Sequence, residues 1–79
     1  MSELEIIKHM GKHGSFSGIL GYEGRSGEYN LSGVGRIEES VVQELYIKGL
    51  IYPSQVVHGG CVQLYDLTKE GVEYYEKNL

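Results

Sequence analysis

A small α+β domain is the fold class this sequence predicts, from three observations. Apolar residues recur at helical spacing in residues 2–12, from about Val34 to Lys48, and again after Thr68. Two runs rich in strand formers, residues 50–57 and 61–67, fall between the second and third of these segments. No long linker, low-complexity run or internal repeat interrupts the 79 residues, which read as a single domain, 1–79. At 41% hydrophobic and 23% charged, the composition is that of a folded globule. A chain this short buries only roughly 60–65% of its unfolded surface, so its stability depends on good packing or on dimerisation.

The first helix is predicted over SELEIIKHMGK, residues 2–12. Ser2 can cap it, Glu3 and Glu5 suit the positive end of the helix dipole, and Leu4, Ile6, Ile7 and Met10 supply the apolar stripe. Gly14 is the expected stop. The middle, residues 15–33, is glycine-rich, and four glycines from Gly18 to Gly27 argue against a continuous helix. Phe16, Ile19 and Leu20 fit one short helical turn. After them YEGRSGEY is nearly symmetric about Gly-Arg-Ser-Gly, which fits a β-hairpin with a four-residue loop or a plain surface loop.

From about Val34 to Lys48 the helical pattern returns, with Ile37, Val41, Val42 and Leu45 on one face and Gly49 as terminator. LIYPSQVV follows, rich in strand formers; Pro53, which cannot donate to a ladder, makes it an edge strand or introduces a break. His58-Gly59-Gly60 is a turn, and Cys61–Leu67 alternates as the returning strand of a hairpin. Thr68 caps a last helix whose apolar stripe is Leu67, Val72, Tyr75 and Leu79, with Lys69, Glu70 and Glu73 facing solvent. Gly71 weakens that helix by roughly 1 kcal/mol relative to alanine, so it depends on packing.

Composition narrows the functional classes. Net charge is −4 with a pI near 5.2, an unfavourable balance for a free-standing nucleic-acid binder. Cys61 is the sole cysteine, so no internal disulfide forms, and no Cys/His spacing suggests zinc. This fits a reducing, cytoplasmic setting, with Cys61 as a small buried hydrophobe. No apolar run is long enough for a signal peptide or membrane span. His9, His13 and His58 stand in no arrangement with a nucleophile, HGSFSG lacks the Gly-x-Ser-x-Gly elbow, and the glycine-rich middle lacks the lysine of a phosphate loop. No catalysis, cofactor or metal is expected. Tyrosine occurs seven times against one phenylalanine, which suits a half-exposed small core or an interface.

Two stretches carry a family resemblance. ELYIKGLIY, residues 44–52, resembles the junction between recognition helix and wing in MarR-like and PadR-like regulators; YDLTKEGVEYYEK, residues 65–77, resembles their exit from wing to last helix. The likeness covers residues 35–78, whereas the glycine-rich residues 14–34 depart from the second helix of that family. It implies a winged-helix domain, ordered helix, irregular middle, helix, β-hairpin wing and C-terminal helix.

The resemblance also implies a transcriptional regulator that binds double-stranded DNA. The implied contacts are Arg36, Glu39, Ser40 and Gln43 at the start of the recognition helix, Gln55 and His58 near the wing tip, and Lys12 (with Lys8 and His13) flanking them. Against it stand Glu38, Glu39 and Glu44 on that same helix. The alternative is an acidic protein-binding winged helix, for example a small phage-type inhibitor or DNA mimic, anchored through tyrosines. A homodimer through Val72, Tyr75 and Leu79 would double the few basic contacts. A shared basic face of Lys8, Lys12, Arg25, Arg36 and His58 favours DNA; scattered cations beside an acidic helix favour protein.

Overall fold

The computed structural model describes the backbone of residues 1–79 and the side chains of all but residues 14–17. Three helices and a five-stranded antiparallel sheet make up the described chain. The order is α1 (Glu3–Ser17), β1 (Leu20–Glu23), β2 (Glu28–Leu31), β3 (Gly35–Ile37), α2 (Glu39–Ile47), β4 (Ile51–Val57), β5 (Val62–Leu67) and α3 (Lys69–Lys77). The strands lie in the order β3-β2-β1-β5-β4.

Ser2 and Glu5 start α1 as a reciprocal cap. The Glu5 amide donates to Ser2 Oγ at 3.2 Å and the Ser2 amide to Glu5 Oε1 at 3.0 Å. These bonds hold the Glu5 carboxyl below its ordinary range. The helix continues past the stop expected at Gly14 and ends at Ser17. The expected apolar turn of Phe16, Ile19 and Leu20 is not what forms: Leu20 opens β1, and the Phe16 side chain lies outside the described residues.

The middle is not irregular. YEGRSGEY closes as a hairpin with the four residues 24–27 as its loop, pairing Tyr22 with Tyr29 and Glu23 with Glu28. A third strand then pairs Arg36 with Asn30 and Ile37 with Tyr29. The helix expected from about Val34 therefore begins only at Glu39, after Glu38 in extended conformation. Ile37 keeps its core position, 4% exposed, from a strand and not a helix.

Helices cover one sheet face. Leu20, Tyr29, Leu31, Ile37 and Ile51 project from it onto Ile6, Ile7, Met10, Val42, Leu45 and Leu50, which complete the buried cluster. Gly21, Asn30, Arg36 and Leu64 alternate onto the other face. Pro53 sits on the edge strand β4, as its missing N–H requires. Beside it Ser54 falls out of register, and its hydroxyl donates to the Leu64 carbonyl at 3.2 Å. The β4–β5 connection, His58–Gly60, turns through positive φ at 54°, 65° and 92°. Cys61 lies in that connection, half-buried, and not in the strand expected from it.

The stretches resembling regulator junctions meet as one joint. Lys48 ends α2; Gly49 turns left-handed at φ 73°, its amide donating to Tyr46 O and that of Leu50 to Leu45 O, both at 3.0 Å. Across the sheet Ile51 pairs with Leu67. Thr68 then binds both sides of the turn: its amide donates to Leu50 O at 3.0 Å and its hydroxyl to Gly49 O at 2.5 Å. The same hydroxyl accepts from the Gly71 amide at 3.0 Å, capping α3. Gly71 lies directly against the Leu50 carbonyl, leaving no space for a Cβ.

Candidate functional site

The predicted contact residues and the cations expected to flank them divide among six segments. Lys12, like Lys8, lies exposed on α1; Arg25 is in the β1–β2 loop; Arg36 is on β3; Gln55 is on β4; His58 is in the β4–β5 turn. β3 and β4 are opposite edges of the sheet, so Arg36 and the β4–β5 turn do not share a surface strip. Only Glu39, Ser40 and Gln43 remain together, exposed on α2. Arg36 is displaced from the helix start expected for it. Its side chain is 75% exposed and lies 3.9 Å from Glu28 Oε2.

The leading turn of α2 is acidic and loosely held. Glu38 occupies the cap position with no side-chain capping bond. Glu39 accepts from Gln43 Nε2 at 3.3 Å, and among the described residues neither Glu38 nor Glu39 forms an ion pair. With Glu28 and Arg36 these two acids line a shallow recess beside Tyr29.

A second recess, of about 320 Å³, adjoins the first through Tyr29. Tyr29, Gln43, Tyr46, Pro53 and Tyr65 line it. Tyr29 and Tyr65 of its lining belong to an aromatic row on the helix-facing side of the sheet, which Tyr22 extends. The Tyr22 and Tyr29 ring centroids are 4.7 Å apart, and those of Tyr29 and Tyr65 are 6.2 Å apart. Tyr46 forms an open wall, 56% exposed. Burial pushes the Tyr29 hydroxyl up to about 12, reinforced by Tyr65, which also hydrogen-bonds it, and by the nearby Glu39 charge. The charge of Glu39 therefore reaches the tyrosine row.

Sequence reasoning did not assemble this recess. Its one sequence signal is the YEGRSGEY symmetry, which places Tyr22 opposite Tyr29 once the hairpin register is accepted. The rest depends on Pro53 pairing with Tyr65, a contact between strands joined through another turn.

The stripe expected to mediate dimerisation is divided by the fold. Tyr75 is spent internally, its ring lying over Gly11 of α1, while Val72 and Leu79 are 42% and 84% exposed. His9 Nε2 contacts the Ser32 carbonyl at 2.6 Å and the His9 ring packs on His13, centroids 4.4 Å apart. Among the described residues no group of three or more His, Cys, Asp or Glu side chains comes together as a metal site. Among them, too, no helix is long and apolar enough to cross a membrane. No family model matches the chain, and no curated protein or solved structure matches it.

Proposed function

We propose that this chain is a winged helix whose second helix is replaced by a strand hairpin, and that it acts by binding a protein in the cytoplasm, without catalysis. The element order, with α2 running through a tight turn into the β4–β5 hairpin and on to α3, supports the winged-helix reading. One observation favours protein over DNA: the exposed turn of α2 that would face phosphates carries Glu38 and Glu39, while the nearest cation, Arg36, lies beside Glu28. Lys8, Lys12, Arg25 and His58, which would have to reinforce Arg36, sit on other segments. A binder of duplex DNA draws most of its non-specific affinity from clustered cations. The exposed Tyr46 and the recess behind it offer instead an aromatic anchor point of the kind that dominates protein interfaces.

A photo-reactive residue in place of Tyr46 tests this in the source cells. The expected result is a cross-link to protein, absent when the same group replaces exposed Glu73 on α3. Cross-linking to nucleic acid, or equal labelling from both positions, would overturn it.

DNA-dependent transcriptional control, with duplex DNA bound by a homodimer, is the second reading. It is favoured by the 75% exposure of Arg36 and by the resemblance of the α2–wing junction to regulator sequences. It predicts salt-dependent duplex binding that Arg36→Ala abolishes.

A further inference from the structure

We infer that the recess between α2 and the β4 edge receives an arginine side chain of the partner protein. This rests on the protein-binding reading and adds the chemistry of the contact.

Four features carry it. The walls are aromatic or flat: Tyr29, Tyr46, Tyr65 and the Pro53 ring. Tyrosine faces attract cations, and a planar guanidinium stacks on them better than a compact, strongly hydrated ammonium does. A carboxylate stands at the rim: Glu39 lines the adjoining recess, which shares Tyr29 with this one, and accepts a hydrogen bond from the recess residue Gln43 at 3.3 Å. No ion pair neutralises Glu39 among the described residues. The recess is also open on the Tyr46 side, so a side chain can enter without the core being displaced. An anionic or wholly apolar anchor would leave Glu39 facing a like charge or stripped of water, at a cost to binding. The net charge of −4 favours approach of a basic partner to the domain as a whole.

The direct test is NMR titration of the labelled domain with a blocked Gly-Arg-Gly peptide amide, alongside its lysine and citrulline counterparts. The expected result is saturable shifts centred on Tyr29, Tyr46, Tyr65 and Glu39. Arginine should bind more tightly than lysine, and neutral citrulline more weakly than either. Glu39→Gln and Tyr46→Ala should each weaken arginine binding by about three- to fivefold. The charge-matched control Glu73→Gln on α3 should leave it unchanged. Equal weakening by Glu73→Gln and Glu39→Gln would reduce the effect to diffuse attraction and overturn the inference. So would equal binding of arginine and citrulline, or no saturable shifts. If the inference fails while the Tyr46 cross-link to protein persists, protein binding stands and only the arginine contact falls. If both fail, the protein-binding reading falls with it.

Discussion

Hydrogen bonds and an ion pair tie the C-terminal end of α2 to α1 and to the start of α3, whereas among the described residues no side-chain bond ties Glu38 or Glu39 at its N-terminal end to another element. Gly49 and Leu50 close the last turn, Thr68 bonds to both of their carbonyls, and Lys48 Nζ reaches Glu3 Oε1 on α1 at 2.7 Å. At the other end Glu39 begins the helix after a cap residue, Glu38, whose carboxylate accepts no capping bond, beside recesses that open to solvent. One end of the helix fixes architecture and the other leaves side chains available. Resemblance to regulator sequences is concentrated at the fixed end, so it informs about fold far more than about partner.

Substitutions at the two ends should separate stability from binding. The largest effect is expected from Gly71→Ala, whose methyl group would collide with the Leu50 carbonyl at the centre of the joint. A loss of about 3 kcal/mol or more, read by chemical denaturation, is expected, because backbone must move to make room. Gly49→Ala meets open space but forces a side chain into a backbone turn at φ 73°, and should cost about 1–2 kcal/mol. Thr68→Ala removes the cap of α3 and the bond to Gly49 O, for about 1–2 kcal/mol. At the open end Glu39→Gln should change stability by less than about 0.5 kcal/mol, while weakening partner binding. A Gly71→Ala protein as stable as the parent would break the contrast; a Glu39→Gln protein that unfolds readily would break it from the other side.

Alkaline titration sharpens the same contrast. Tyr29 is held neutral in the fold, its pKa raised to about 12 from an ordinary 10. A raised folded-state value means the contribution is fully present below the unfolded pKa near 10 and is lost as pH rises through about 12. Stability should fall across that window, and Tyr29→Phe should flatten the fall. Denaturation curves collected through the alkaline range would show it.

How far the sequence discloses this molecule depends on how local the governing chemistry is. The Thr68 cap, the Gly49 terminator and the edge position of Pro53 each follow from one residue's hydrogen-bonding capacity or backbone freedom, and each is where the sequence places it. The start of α2 is not legible because Ile37 projects into the core from β3 as it would from an added helical turn, so the periodic stripe runs unbroken across a strand–helix boundary. Gly14 is a poor stop signal, since a glycine inside a helix costs only about 1 kcal/mol, which the rest of a helix can outweigh. Gly71 reads in sequence as a mild weakness, and its necessity emerges only with the Leu50 carbonyl packed against it. The tyrosine recess is the least legible feature, because it gathers residues from β2, α2, β4 and β5 through registers that no short window encodes.

The separation of a fixed end from an open, acidic end rests most directly on what a duplex does at that open end. Titration of the purified domain into a labelled random duplex at low salt, followed by fluorescence anisotropy, measures it. No saturable binding is predicted, because on the winged-helix reading the turn that would approach phosphates carries Glu38 and Glu39, and Arg36 lies beside Glu28. Saturable binding that weakens steeply with added salt and disappears in Arg36→Ala would contradict the account.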